Sequence, residues 1–170
     1  LSKSHASFPL CILLKEKGYK PKLTTHLDLD KKNGIHCTTG SLGHGFPIAT
    51  GMAFARKKFK IKGRIFVLIS DGECQEGTTW ESLLIAAKHN LDNLNLIIDY
   101  NKIQALSKLE DALPLDSLKK KIEAFNWNCE EIKNGHSFKN LKEKLTKKQK
   151  KISRLLLLFI QLKAKVLKVL

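Results

Sequence analysis

Two short polar segments carry the residue types and spacing for chemistry. Asp71-Gly72 follows the apolar, β-branched run Ile65-Phe66-Val67-Leu68-Ile69, and Asn101-Lys102-Ile103 follows Leu96-Ile97-Ile98. Short continuous apolar runs of this kind suit strands buried on both faces of a parallel sheet. Between them, Glu76 to Ala87 has a helical apolar pattern. The unit reads as strand, helix, parallel strand, with a carboxylate and a carboxamide at the two carboxyl ends. Open α/β sheets bind ligands at that edge. A hard divalent cation takes oxygen ligands there and leaves coordination positions for phosphate oxygens. The chemistry available to these residues is metal-assisted anchoring of a phosphorylated ligand.

The rest of the chain supplies the elements that must position them. Leu10 to Glu16 predicts a short helix stopped by Gly18, and residues 21–39 are turn-rich. Gly40-Ser41-Leu42-Gly43-His44-Gly45 leads into a helical pattern from Phe46 to Phe59. There the small residues Ala49, Gly51, Ala53 and Ala55 are expected to let a helix approach a sheet closely. A further helix is expected with Pro114 at its first position and Asp116 in its first turn, running to about Phe125. Trp127 to Ile132 reads as a strand, Asn134-Gly135-His136 as a turn, and Ser137 as the N-cap of a lysine-rich amphipathic helix. Leu155 to Ile160 fits a buried strand. Gln161 to Leu170 has neither turn residues nor a clear period, and reads equally as an amphipathic terminal helix or as the product of a shifted frame. Alternating strands and helices with short turns imply an α/β fold, a doubly wound and mostly parallel sheet with helices on both faces. The expected organisation is one domain over residues 1–160, incomplete at its start because Leu1 is not an initiator Met, and a tail over 161–170 of uncertain structure.

At 170 residues, 42% apolar and 28% charged, the chain is ordinary for one globular domain. Its net charge of +15 invites a nucleic-acid reading. The cations are nearly all lysines, however, with arginine only at 56, 64 and 154. Base and phosphate readers favour the arginine fork, so a solvated lysine-rich surface, or a lysine-rich coding bias, is the expectation and no nucleic-acid partner is implied. The longest apolar run, Leu155 to Ile160, is too short to span a bilayer. Cys11, Cys37, Cys74 and Cys129 lack metal-ligand spacing and read as reduced thiols of a cytoplasmic protein. Cys74 lies close to Asp71 but reads more simply as a small filler residue. Gly40 to Gly45 lacks the Gly-Lys-Ser/Thr ending of a phosphate-binding loop.

Three more blocks bear on function: Leu1-Ser2-Lys3-Ser4-His5-Ala6-Ser7, His26 with the later Thr38-Thr39-Gly40-Ser41-Leu42-Gly43-His44-Gly45, and Asn134-Gly135-His136. Alone each is weak. In this order, with Asp71-Gly72 followed about thirty residues later by Asn101, the chain resembles the amino-terminal subunit of a transketolase from Leu1 to about Leu145. The likeness is densest over Asp71 to Glu81 and Asp99 to Gln104. It implies thiamine diphosphate and Mg²⁺, with Ca²⁺ or Mn²⁺ as substitutes. By this resemblance Asp71, Asn101 and the Ile103 carbonyl match metal ligands, and Gly72 matches a residue whose amide donates to the diphosphate. Gly40, Ser41 and Leu42 match the loop contacting the cofactor. His5 matches a histidine near the diphosphate and His26 one facing the sugar. Glu76 matches a buried glutamate at the subunit contact, thought to communicate with the partner's catalytic glutamate.

The chain departs from the family at Ser70 and Ser4, where glycine is usual, and at Thr25 and Leu27, where glycine and proline flank the histidine. A further substrate histidine before His5, and a later Gly-Lys-Gly turn and histidine, have no counterpart. The glutamate that activates the cofactor belongs to the other, pyrimidine-binding half. The resemblance therefore implies, as partner, a carboxyl-terminal transketolase subunit in a dimer or heterotetramer, and a chain inactive alone. The pair would move a two-carbon ketol unit from a ketose to an aldose, with a sugar phosphate or related sugar as substrate. The competing readings are a component of another thiamine-dependent enzyme (a dehydrogenase or decarboxylase), a degenerate non-catalytic fragment, and a basic binding module.

Overall fold

The computed structural model describes residues 1–104 and 107–146, together with the backbone of the strand at 155–160. The helices are α1 (Ser7–Glu16), α2 (Gly45–Lys58), α3 (Gly77–Lys88), α4 (Leu109–Ala112), α5 (Leu118–Ala124) and α6 (Phe138–Thr146). The strands are β1 (Ile65–Ser70), β2 (Leu94–Tyr100), β3 (Asn128–Ile132) and β4 (Leu155–Ile160). They form one parallel sheet in the order β1-β2-β4-β3, so the last strand in sequence lies between the second and third. Ile69 pairs with Ile98 and Ser70 with Asp99, which sets Asp71 and Asn101 just past the carboxyl ends of neighbouring strands.

Strand alternation sorts the helices onto two faces. Val67, Ile69, Leu94, Leu96 and Ile98 pack in one cluster with Phe46, Ala49 and Ala53 of α2, Leu83 and Ala86 of α3, and Leu118 and Ile122 of α5. Ile97, pointing the other way, packs with Ile132 and with Leu141 and Leu145 of α6. The doubly wound, parallel α/β fold with helices on both faces is thus observed. Trp127 ties the first face together. Its ring meets Phe46 edge-on at 6.0 Å, and its Nε1–H donates to the Leu83 carbonyl at 3.0 Å. A satellite cluster of Cys11, Leu27 and Ile35 under α1 anchors the turn-rich segment.

The local expectations hold for most elements. Gly18 ends α1 at φ +89°, and Ser137 Oγ caps α6 by accepting from the Asn140 amide at 3.3 Å. Three differ. Pro114 does not open a helix: it falls between α4 and α5, after an extended Leu113 (φ −153°, ψ 108°), the conformation a following proline imposes. Only Ala49 and Ala53 of α2's small residues face the core, while Gly51 and Ala55 are exposed. The strand at Leu155–Ile160 forms, but its side-chain burial lies outside the described residues, as do all of residues 161–170. No described helix is long and apolar enough to cross a membrane.

Candidate functional site

Asp71 follows the last residue of β1 and is 2% exposed. Its carboxylate accepts from the Gly72 amide at 2.9 Å and, across the strand gap, from the Lys102 amide at 2.6 Å. The β2 end turns sharply: Lys102 has φ +63°, and Asn101 Oδ1 accepts from the Ile103 amide at 2.8 Å. The structure therefore brings Asp71, Asn101 and Ile103 to one edge, joined through Lys102 N. Burial pushes the Asp71 pKa up. The two amide hydrogen bonds and the Lys3 charge pull it back down, and Asp99 adds a smaller upward push. A carboxylate in that position gains from a nearby cation.

Glycine is demanded at two loop positions. Gly40 has φ +121°, and a Cβ there would sit 2.2 Å from His26 Cδ2. Gly43 has φ +74°, and its Cβ would meet Thr78 Oγ1 at 2.5 Å and Glu76 Cβ at 2.8 Å. His26 and Gly40 are thus in direct contact, with Thr25 Oγ1 3.2 Å from His26 Nδ1. Gly72 is different: a Cβ there would meet nothing closer than Gln104 Nε2 at 3.5 Å. Within the chain nothing requires glycine at 72, and its amide is directed at the Asp71 carboxylate.

The remaining matched residues sit as follows. Ser41, Leu42 and His26 are exposed on the loop rim. His5 is exposed in a short turn (Ser4–Ala6) whose preceding Ser2 and Lys3 amides both donate to the Leu68 carbonyl, placing it by the carboxyl end of β1. Glu76 is half-buried at the start of α3, its side-chain carbons beside Gly43. Ser70, the departure before Asp71, accepts through Oγ from the Glu73 amide at 3.3 Å. A cleft of about 260 Å³ opens beside the loop, lined by Gly40, Ser41, His44, Ile48, Met52 and Phe66 among others; Asp71 and Asn101 are not part of its wall.

Sequence reading missed four residues here. Glu73 is fully buried and bonded to three separate segments. Thr78 donates to the Gly43 carbonyl at 2.7 Å. Lys3 and Asp99 form an ion pair at the same edge, and the other Asp99 oxygen is buried without a partner among the described residues. Glu73 lies beside the Asp71-Gly72 pair, but nothing in its type or spacing signals burial. Cys74 is core filler: burial, with Asp71 and Glu73 adding to it, holds its thiol far above the ordinary range. No group of three or more His, Cys, Asp or Glu side chains converges on a metal-sized space among the described residues. The Asp71–Asn101–Ile103 set, with one carboxylate, one amide and one backbone carbonyl, is not a grouping of that type.

The fold and this edge define a doubly wound α/β domain with an oxygen-donor pair and a glycine loop at the carboxyl ends of its strands. Residues 7–164 match the family described as transketolase, thiamine diphosphate binding domain, and the chain belongs to that family. It is 42% identical over 142 residues to one subunit of the apulose-4-phosphate transketolase of Actinobacillus succinogenes, covering 76% of this chain and 51% of that one. A 6-deoxy-6-sulfo-D-fructose transketolase subunit of Clostridium sp. is 38% identical over 149 residues, covering 81% and 54%. The crystal structure of the Campylobacter jejuni transketolase superposes with a TM-score of 0.71 at 31% identity, over 76% of this chain and 21% of that one. The chain spans about half the length of the two curated relatives.

Proposed function

We propose that this chain is the diphosphate- and metal-binding half of a two-part, thiamine diphosphate-dependent transketolase-like enzyme. The observation that carries the reading is the meeting of Asp71 with the Asn101–Ile103 turn across the carboxyl ends of β1 and β2, through the Lys102 amide at 2.6 Å. The donor set fits a hard divalent cation. Asp71 offers a buried carboxylate that burial disfavours as an uncompensated charge, and Asn101 and Ile103 offer neutral oxygens beside it. Asp71, the Asn101 amide and the Ile103 carbonyl would hold Mg²⁺, with Ca²⁺ or Mn²⁺ as substitutes. Gly72, His5 and the Gly40–Ser41–Leu42 loop would hold the diphosphate.

When bound, thiamine diphosphate supplies the chemistry by which a two-carbon ketol unit leaves a ketose for an aldose. This chain's residues bind and orient. Asp71, Asn101 and Ile103 would hold a cation that offsets the charge of the diphosphate, which docks poorly against a carboxylate otherwise. His26, packed on Gly40, faces the sugar, and Glu76 lies beside Gly43 at the contact with a pyrimidine-binding, carboxyl-terminal partner subunit in a dimer or heterotetramer. Relatives in Actinobacillus succinogenes and Phocaeicola vulgatus carry names that make each of them one subunit of a transketolase, which supports a divided enzyme. Alone, the chain is expected to bind the cofactor weakly and to turn over no ketose–aldose pair. Isothermal titration of thiamine diphosphate with and without Mg²⁺ tests the reading. Asp71→Ala should abolish the Mg²⁺-dependent part of the binding; equal affinity in wild type and variant would remove the central claim.

A further inference from the structure

Glu73 is 0% exposed, yet no lysine, arginine or histidine pairs with it among the described residues. A buried carboxylate without an ion-paired side chain is tolerated where several donors hold it. Those donors come from three places in the chain. The Ser2 hydroxyl, on the segment leading to His5, donates to Oε1. The amide of Gly43, in the glycine loop, donates to the same oxygen at 3.3 Å, and the amide of Ser70, at the end of β1, donates to Oε2 at 3.0 Å. The loop is gripped a second time, since Thr78 Oγ1 donates to the Gly43 carbonyl at 2.7 Å. Both backbone polar groups of Gly43 are thus bonded to side chains from the segment that follows Asp71. That segment is itself fastened: Thr79 Oγ1 donates to the Glu73 carbonyl at 2.6 Å and Trp80 Nε1 to the Cys74 carbonyl at 3.0 Å.

We infer that Glu73, assisted by Thr78, is a positioning residue that locks the Gly40–Gly43 loop and the His5 segment onto the Asp71 edge, so that the anion-binding surface is assembled before any ligand arrives. The link to cofactor affinity rests on the function proposed above; the clamp itself does not. Holding a loop in its bound conformation removes an ordering cost from binding. Glu73→Gln is the sharpest perturbation. It keeps size and shape, but one acceptor oxygen becomes an NH₂ group facing a donor.

Hydrogen exchange on the ligand-free chain reads the clamp directly, and titration with thiamine diphosphate and Mg²⁺ reads its consequence. In Glu73→Gln, amides of residues 40–45 should exchange at least tenfold faster while those of β1 and β2 stay protected, and cofactor affinity should fall at least tenfold. Thr78→Val should shift the same amides by less, and it carries the exchange test if Glu73→Gln does not fold. Unchanged exchange at 40–45 would overturn the inference. So would equal loosening across β1 and β2, or a loosened loop with cofactor affinity within twofold of wild type. Absence of cofactor binding by the wild-type chain would strike the proposed function, while the exchange result would still decide the clamp.

Discussion

Substituting alanine at two glycines of neighbouring segments should change stability in opposite directions. At Gly40 the backbone lies at φ +121°, a conformation that costs an L-residue about 1–3 kcal/mol. The new Cβ would fall 2.2 Å from His26 Cδ2 and 3.2 Å from its Cγ and Nε2, so the ring must swing away. That movement gives up the contact with Thr25 Oγ1, an exposed hydrogen bond contributing about 0.5 kcal/mol. Gly40→Ala should therefore destabilise the chain by about 2–3 kcal/mol, lowering Tm by roughly 4–12 °C for a protein of this size. Gly51 is the control. It lies inside α2 without a positive φ, and its Cβ would meet nothing within 4 Å. Gly51→Ala should stabilise by roughly 0.5–1 kcal/mol, the helix-interior difference between the two residues. Urea unfolding followed by tryptophan fluorescence measures both, since Trp80 and Trp127 are built into the core cluster. A Gly40→Ala variant within about 0.5 kcal/mol of wild type, or a Gly51→Ala variant as damaging as Gly40→Ala, would refute the loop geometry on which the site rests.

Two other outcomes follow from the same geometry. Glu76→Gln should lower turnover of the chain reconstituted with a carboxyl-terminal subunit by more than it weakens cofactor binding; equal turnover would make Glu76 an ordinary half-buried helix-start charge. Native-state alkylation near pH 8 should modify Cys37 and spare Cys11, Cys74 and Cys129, all buried, with the Cys129 thiol pushed up to about 12 by burial and then by Glu123. Prompt labelling of more than one thiol before denaturant is added would contradict that packing.

The strand–helix–strand unit around Asp71 and Asn101 was legible because each piece is written in local pattern: apolar runs of strand length, a 3.6-residue period between them, and polar residues where the runs stop. Helix ends that depend on a single residue were equally legible, as at Gly18 and Ser137. Pro114 misled because a proline suits the first turn of a helix and the linker between two helices alike, and burial of Leu115 and Leu118 decides which. The small residues of α2 could not be divided by type into core and surface; only the sheet's position separates Ala49 and Ala53 from Gly51 and Ala55.

By itself the sequence determined the parallel α/β class and the placing of Asp71 and Asn101 at the carboxyl ends of neighbouring strands, since these depend on periodicity and on neighbours in the chain, whereas the residues proposed for the site follow from the resemblance to transketolases. Only the tertiary structure decided the strand order β1-β2-β4-β3, because pairing between strands far apart in sequence leaves no local trace. It also decided that Lys102, a lysine by sequence, serves Asp71 through its backbone amide, and that Glu73, a charged residue in a polar turn, is the most enclosed carboxylate at the edge. Whether a polar side chain becomes a solvated surface group or a buried tie depends on what distant segments present to it, here those of Ser2 and Gly43, and folding brings those segments together.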